Sequence, residues 1–151
     1  MQKQILILFV SFLSVTGFSQ NSRATQFNLE KKVAIQGYDP VAYFTQKKAV
    51  KGKKEMASIY EGVTYYFSSQ ANKDTFVKTP ASYEPQYGGW CAYAMGSSAE
   101  KVEIDPSTFK ILDGKLYLFY NAYFNNTLKS WNKDEVNLKK KADANWKKFV
   151  N

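Results

Sequence analysis

ASIYEGVTYYF, residues 57–67, is the stretch of sequence that decides the fold. Both of its halves are rich in β-branched and aromatic residues, and the dipeptide Glu61-Gly62 between them is typical of a tight turn. The pattern therefore predicts a β-hairpin. Because side chains alternate along a strand, Tyr65 and Phe67 are expected to share one face of it.

A helix is expected directly after this hairpin. Ser68 or Ser69 supplies an N-cap, and the helix should run to about Lys78. Phe76 and Val77 are expected to face inward, so that this helix covers one face of the hairpin.

A second hairpin and a C-terminal helix complete the pattern. Residues 109–119 predict a hairpin around the turn Asp113-Gly114. Helices are predicted over 121–131 and 133–149, the second because apolar residues recur there at helical spacing. That apolar stripe consists of Leu138, Ala142, Trp146 and Phe149. The whole pattern predicts an α+β fold, with a small antiparallel sheet built from two hairpins, several short covering helices and a longer C-terminal helix.

The start of the sequence predicts export. Residues 1–19 combine a short polar start with an apolar stretch too short to span a membrane. Gly17 and Ser19 have the spacing that a signal peptidase requires. We expect cleavage after Ser19, which leaves a flexible N-terminal arm over 20–32 and a domain over 33–149. The alternative is a retained membrane anchor. No later segment is apolar enough to span a membrane, so the mature protein is expected to be periplasmic or secreted.

Composition excludes several kinds of chemistry. The chain has 151 residues with 11 Tyr, 11 Phe and 3 Trp, which is enough large apolar surface for a packed core. It has no histidine, which excludes Ser-His and Cys-His catalytic pairs and histidine zinc sites. One cysteine excludes an intrachain disulfide. The net charge of +8 suits acidic surfaces, anionic lipids or polysaccharide, whereas nucleic acid is not expected as a partner of an exported protein.

Four motifs together resemble a known family. They are GYDPVAYF at 37–44, YEGVTYYFSS at 60–69, YGGWCA at 87–92 and DGKLYL at 113–118. In this order they resemble the YHS-domain family, and the last two look like its small exported bacterial members. The likeness covers roughly residues 33–149.

The resemblance also bears on metal binding. Some relatives carry metal-binding cysteines, and such domains accompany copper-transporting ATPases. The corresponding positions of this sequence are Ala42, Ser68 and Asn72, none of which supplies a thiolate. The family is named for Tyr, His and Ser, and this chain has no histidine. A metal role is therefore not expected through these three positions.

Cys91 and Met95 are candidate ligands for a different metal site. These residues are four positions apart, so both sulfurs would lie on one face if residues 90–96 are helical. Thiolate and thioether are soft ligands that favour Cu(I), although two ligands alone make a weak site. The first alternative is that both residues belong to the core. The second is that Cys91 is a reactive, redox-sensing thiol.

A ligand-binding group is also predicted. A wall rich in tyrosine beside a flexible backbone could bind a planar or sugar-like molecule. The residues of this group are Tyr38, Asp39, Tyr87, Gly88, Gly89 and Trp90. The alternative is a glycine-containing turn that packs against aromatic core.

These features favour a non-enzymatic protein that binds a ligand or a metal at the Gly-Gly-Trp-Cys segment. The acidic residues at predicted turns and caps, Glu61, Asp105, Asp113 and Asp134, are assigned structural roles, so no catalytic carboxylate pair is predicted. One alternative is a redox protein that uses Cys91. Another is an interaction module whose C-terminal helix docks on an acidic partner through Lys139, Lys140, Lys141, Lys147 and Lys148.

Overall fold

A computed structural model describes residues 19–150 and has an α+β architecture. Its strands are β1 (Leu29–Glu30), β2 (Val33–Ala34), β3 (Lys53–Tyr60), β4 (Val63–Phe67), β5 (Asp105–Leu112), β6 (Lys115–Phe119), β7 (Asn121–Ala122) and β8 (Asn125–Asn126). Its helices are α1 (Ser19–Gln26), α2 (Ala42–Thr45), α3 (Gln70–Lys78), α4 (Ala92–Ser97), α5 (Thr127–Trp131) and α6 (Glu135–Val150). Short 3-10 turns span Ile35–Gly37, Pro80–Ser82 and Gln86–Gly89. The predicted signal peptide lies outside the described residues except for its last position.

The first predicted hairpin is confirmed as β3 and β4. Tyr60 pairs with Val63 across the turn, and the strands are antiparallel. Tyr65 and Phe67 are both fully buried, as the alternation along the strand predicts.

The predicted helix after this hairpin is α3. The Ser69 side chain caps it by accepting a hydrogen bond from the Asn72 amide at 3.2 Å. Phe76 is buried, and its ring centroid lies 4.8 Å from that of Tyr65 and 5.1 Å from that of Phe67. The helix therefore covers the hairpin through Phe76, as expected.

The inward position expected for Val77 is wrong. Its side chain is 56% exposed. Successive residues of a helix point about 100° apart, so Val77 cannot follow Phe76 onto the hairpin.

The strands form three separate sheets within the described range. The largest has the order β1-β2-β4-β3, and its β2–β4 pair is parallel, with Val33 beside Thr64. The second predicted hairpin is confirmed as β5–β6, which forms a sheet of its own. The α+β class and both hairpins are therefore as predicted, while the two hairpins do not join into one sheet.

Strand β6 separates two hydrophobic clusters. Leu116 and Leu118 belong to the cluster that packs against the larger sheet. Tyr117 and Phe119 belong to the other cluster, which surrounds the buried Trp131. Both faces of β6 are thus buried, and alternate side chains reach different clusters.

The predicted flexible arm over 20–32 requires correction. Helix α1 and strand β1 occupy most of this stretch. The Asn28 amide donates to the Gly88 carbonyl at 2.9 Å, and the Trp90 indole N–H donates to the Gln26 carbonyl at 2.7 Å. These long-range contacts hold the stretch in place. Its sequence has no hydrophobic periodicity, so no local pattern reveals them.

The predicted helix over 121–131 is only partly correct. Residues 121–126 form the hairpin β7–β8, and helix α5 begins after it at Thr127. The Asn126 side chain caps α5 by accepting from the Leu128 amide at 3.1 Å. The turn of this hairpin, Tyr123-Phe124, lacks the Gly or Asn that signals a hairpin in sequence.

The C-terminal helix is confirmed as α6. Leu138 and Ala142 are buried in the cluster around Trp131, and Trp146 and Phe149 pack against that cluster while partly exposed. None of the helices in residues 19–150 has the length and apolarity that a membrane crossing demands.

The packing of Phe76 on the hairpin makes a testable prediction. Phe67→Ala should cost about 3–5 kcal/mol of unfolding free energy, because the ring is fully buried. Val77→Ala is the matched control and should change stability by less than about 0.5 kcal/mol, since Val77 faces solvent. Urea denaturation measures both. A loss below about 1 kcal/mol for Phe67→Ala would contradict this packing.

Candidate functional site

A buried carboxylate organises the first candidate region. Asp39 is fully buried. Its Oδ1 accepts hydrogen bonds from the amides of Val41 at 2.9 Å and Ala42 at 3.3 Å, which start α2. Its Oδ2 accepts from the Ser68 amide at 2.8 Å, the Ser68 hydroxyl at 2.6 Å and the Asn72 Nδ2 at 2.7 Å. One side chain thereby joins the end of β4 to the starts of α2 and α3, and its lone pairs are fully used.

This network decides whether the region fits a metal. The three positions that correspond to cysteines in metal-binding relatives, Ala42, Ser68 and Asn72, all donate hydrogen bonds to Asp39. They supply no thiolate, and the single carboxylate is already engaged by these donors. The residues therefore do not fit a soft metal, and no chemistry is derived through one here.

Tyr38 lies next to this network rather than in an open pocket. Its ring is packed against the larger hydrophobic cluster, and the Lys51 ammonium lies 4.6 Å from its centroid. Tyr38 therefore contacts Lys51, while Asp39 contacts the start of α2, Ser68 directly after β4, and Asn72 of α3. The remaining members of the predicted ligand group contact other elements.

The segment Tyr87-Gly88-Gly89 has left-handed backbone throughout, with φ of 54°, 60° and 85°. A Cβ atom at Gly88 would lie 2.8 Å from the Trp146 ring and 2.9 Å from the Phe27 ring. The glycine is therefore required by close approach, as the sequence suggests. What approaches it is the protein's own chain, from α6 on one side and the end of α1 on the other.

Tyr87 is a second fixed point in this segment. It is buried, and its hydroxyl donates to Asp143 Oδ1 of α6 at 2.9 Å. Burial, together with the hydrogen bond and the negative charge of Asp143, raises the pKa of Tyr87 well above its ordinary value. The phenol therefore stays neutral and serves as a hydrogen-bond donor.

A cleft of about 960 Å³ opens beside these residues, between α1, the segment 81–88 and α6. Its aromatic walls are Phe27, Trp146 and Phe149. Its charged lining consists of the bases Arg23, Lys115 and Lys147 and the acids Glu61, Glu84 and Asp143. Tyr87 and Gly88 line this cleft, whereas Tyr38 and Asp39 do not.

Arg23 anchors α1 at one end of the cleft. Its guanidinium pairs with Glu84 and with Glu61, the latter at 3.1 Å, and lies 4.4 Å from the Phe27 ring centroid. Glu84 also accepts a hydrogen bond from the Tyr65 hydroxyl. Burial disfavours the charge on Arg23, but the hydrogen bond and charge of Glu84 outweigh it, so the pKa of Arg23 is raised. The guanidinium is therefore charged at neutral pH.

The structure separates the two predicted sulfur ligands. Cys91 is the N-cap of α4, and the helix begins only at Ala92, so the expectation that both sulfurs lie on one helix face is corrected. Cys91 packs in the cluster on the larger sheet and Met95 in the cluster around Trp131. Both are fully buried. Within residues 19–150, no group of three or more Cys, Asp or Glu residues is arranged to hold a metal ion.

Cys91 instead fastens neighbouring chain segments. Its sulfur accepts a hydrogen bond from the Tyr120 amide at 3.3 Å and lies 3.4 Å from the Thr127 hydroxyl oxygen. The buried thiol is therefore placed for packing and hydrogen bonding. It lacks the exposure that reactive thiols share.

In a comparison with known protein families, residues 41–87 match the family model of the YHS domain. This part of the chain is therefore similar to a YHS domain. The match includes α2, β3, β4 and α3, begins two residues after Asp39, and ends at Tyr87 of the cleft. The wider likeness over 33–149 and the exported bacterial subfamily stay predictions. No curated protein and no solved structure matches the chain.

Most cleft residues were not singled out by the sequence. Arg23 and Phe27 fall in the stretch expected to be flexible, and Trp146 and Phe149 are assigned to a core stripe. Glu84 carries no motif of its own. The one feature of the sequence that points to the cleft is the glycine pair. It indicates that another part of the molecule lies close to the backbone there, but not which part.

Substitution of Gly88 tests the close approach. Gly88→Ala should destabilise the protein by about 2–4 kcal/mol, because left-handed strain adds to overlap with Phe27 and Trp146. Gly114→Ala is the matched control. Gly114 has a φ of 70° but nothing within 4 Å of the added Cβ, so only the backbone cost of about 1–2 kcal/mol applies. Equal losses in urea denaturation would show that no close contact exists at Gly88.

The burial of Cys91 predicts its reactivity. A small aromatic disulfide reagent should leave the native protein unmodified and should react with one thiol per chain once urea unfolds it. Cys91→Ala should lower the unfolding free energy by about 1–2 kcal/mol, since a small buried side chain and its hydrogen bonds are lost. Rapid stoichiometric labelling of the native protein would contradict the burial.

Proposed function

We propose that this YHS-domain protein is an exported, non-enzymatic binding protein that holds a small neutral ligand, planar or sugar-like, in the cleft between α1 and α6. The cleft of about 960 Å³ carries this proposal. It lies within the size range of small-molecule sites, about 300–1,000 Å³. Aromatic walls and hydrogen-bonding side chains converge in it, a combination that such sites share.

The charge of the lining supports a neutral ligand. Three bases face three acids around the cleft. Arg23 is paired with both Glu84 and Glu61, two of these three acids. A lining whose charges compensate one another offers no net attraction to an ion. A neutral molecule with several hydrogen-bonding groups suits it better.

The aromatic walls support a ligand with a flat apolar face. Trp146 and Phe149 lie 6.0 Å apart between centroids, and both are partly exposed. Sugar rings and planar heterocycles can bury a flat face against such side chains. The Gln86 amide lines the same cleft and can bond to polar groups of the ligand.

The acidic residues of the cleft support binding rather than catalysis. Glu84 accepts from both Arg23 and Tyr65, and Asp143 accepts from Tyr87. Each of these carboxylates therefore has a structural partner. Glycoside hydrolysis needs two carboxyl groups, one that gives up a proton and one that acts on the opposite side of the bond. Glu84 and Asp143 are instead engaged by their structural partners.

The remaining parts of the proposal rest on sequence. Export to the periplasm or the medium is proposed from the apolar start with Gly17 and Ser19. An acidic partner for the exposed lysines of α6 stays a prediction, as does copper at Cys91 and Met95. The burial of Cys91 argues against the alternative of a redox thiol.

A titration with defined probes tests the proposal. We expect cellobiose or indole, added to the isotope-labelled protein, to shift the indole N–H resonance of Trp146 in a saturable way. Trp146→Phe assigns that resonance and keeps an aromatic wall. Gln86→Ala should weaken binding several-fold, while Lys148→Ala should leave it unchanged, because Lys148 is exposed and does not line the cleft.

Two observations together would contradict ligand binding in the cleft. The first is the absence of any shift at Trp146 with either probe. The second is native mass spectrometry of the protein from its own cells that finds no retained small molecule. Shifts confined to Trp90 or Trp131 would place the binding site elsewhere.

A further inference from the structure

Two adjacent aromatic side chains project from the turn between β7 and β8. Tyr123 is 92% exposed and Phe124 is 111% exposed. The other large apolar residues that the structure describes as exposed are Ile59, Val77, Val136 and Val150, and no two of them are neighbours in sequence. The pair at the turn is therefore the most concentrated exposed apolar feature on the described surface.

The backbone of this turn disfavours these side chains. φ is 49° at Tyr123 and 62° at Phe124, in the left-handed region that suits Gly and Asn. The corresponding turns of the other hairpins end in Gly62 and Gly114, and the turn at 31–32 has two exposed lysines. Aromatic rings in such a turn weaken the hairpin and bury little, so folding does not explain them.

The base of this hairpin is held firmly. The Thr127 hydroxyl and amide both donate to the Tyr120 carbonyl, at 2.8 and 3.0 Å. Cys91 accepts from the Tyr120 amide, and Asn121 donates to the Thr108 hydroxyl at 3.0 Å. The tip is thus presented on a fixed support.

We propose that the Tyr123-Phe124 tip inserts into the interfacial region of an anionic membrane. The hairpin 121–126 contains no charged residue, and its three asparagines form an uncharged polar collar behind the rings. Tyr and Phe gain from the boundary between lipid headgroups and acyl chains. The positive net charge, +8 for the full sequence and one less once Lys3 leaves with the predicted signal peptide, draws the protein to an anionic surface.

The small size of the tip favours lipid over a protein partner. A stable protein interface buries roughly 1,200–2,000 Å² in total, which two side chains on a narrow hairpin cannot provide. A membrane needs less direct contact, because attraction between lysines and anionic headgroups adds to the insertion of the rings. The exposed Lys129 follows the hairpin in sequence and supplies charge near its base.

Vesicle binding of the exported protein, purified from expressing cells, tests this proposal. The key variant carries Tyr123→Asn and Phe124→Gly, which restores the residues that the turn favours. It should bind vesicles of phosphatidylglycerol and phosphatidylethanolamine about tenfold or more weakly than the wild type. Its thermal unfolding midpoint should be equal or higher. The control, Ile59→Ser with Val136→Ser, removes exposed apolar side chains elsewhere and should bind like the wild type.

A reporter at the tip completes the test. Phe124→Trp should show a blue shift of its added indole emission with anionic vesicles and little change with phosphatidylcholine alone. Unchanged emission, undiminished binding by the turn variant, or equal binding to phosphatidylcholine would overturn the proposal. Concentration-dependent self-association that the turn variant loses would identify a second copy as the occupant instead, and would overturn it too.

Discussion

Burial of both faces of β6 is the constraint on which most of the structure depends. A strand that exposes neither face must be covered twice, here by the cluster on the larger sheet and by the cluster around Trp131. The helices α4, α5 and α6 supply the side chains that bury Tyr117 and Phe119 on the second face. Loss of either cover would expose large aromatic surface, so the two clusters are expected to support one another.

The buried Asp39 carboxylate plays a comparable part next to the residues that match the YHS-domain model. An uncompensated charge there would be costly, so the donors around it are fixed in number and direction. Ser68 and Asn72 stand where some relatives carry metal-binding cysteines, and they now hold α3 to β4 through the carboxylate. The junction of these elements is therefore built from hydrogen bonds to one carboxylate.

The sequence was a good guide wherever the deciding contacts are local. The turns at Gly62 and Gly114, the Ser69 cap and the stripe of α6 are short-range signals, and each predicted element was found. The misses share a different cause. Residues 20–32 are ordered by partners far along the chain, and the turn at 123–124 contradicts turn propensity. Most of the cleft was not predicted either, because its walls come from distant parts of the sequence and meet only in the folded protein.

The contact between Phe27 and Trp146 has a consequence for how the chain reaches its fold. Their ring centroids lie 6.0 Å apart, although Phe27 directly follows the first helix that the structure describes and Trp146 belongs to the last. A hairpin such as β3–β4 closes within its own few residues and can form early. The closure of α1 on α6 must wait until the last turn of α6 has been synthesised. Until then the cleft is incomplete, so it is among the last parts of the fold to form.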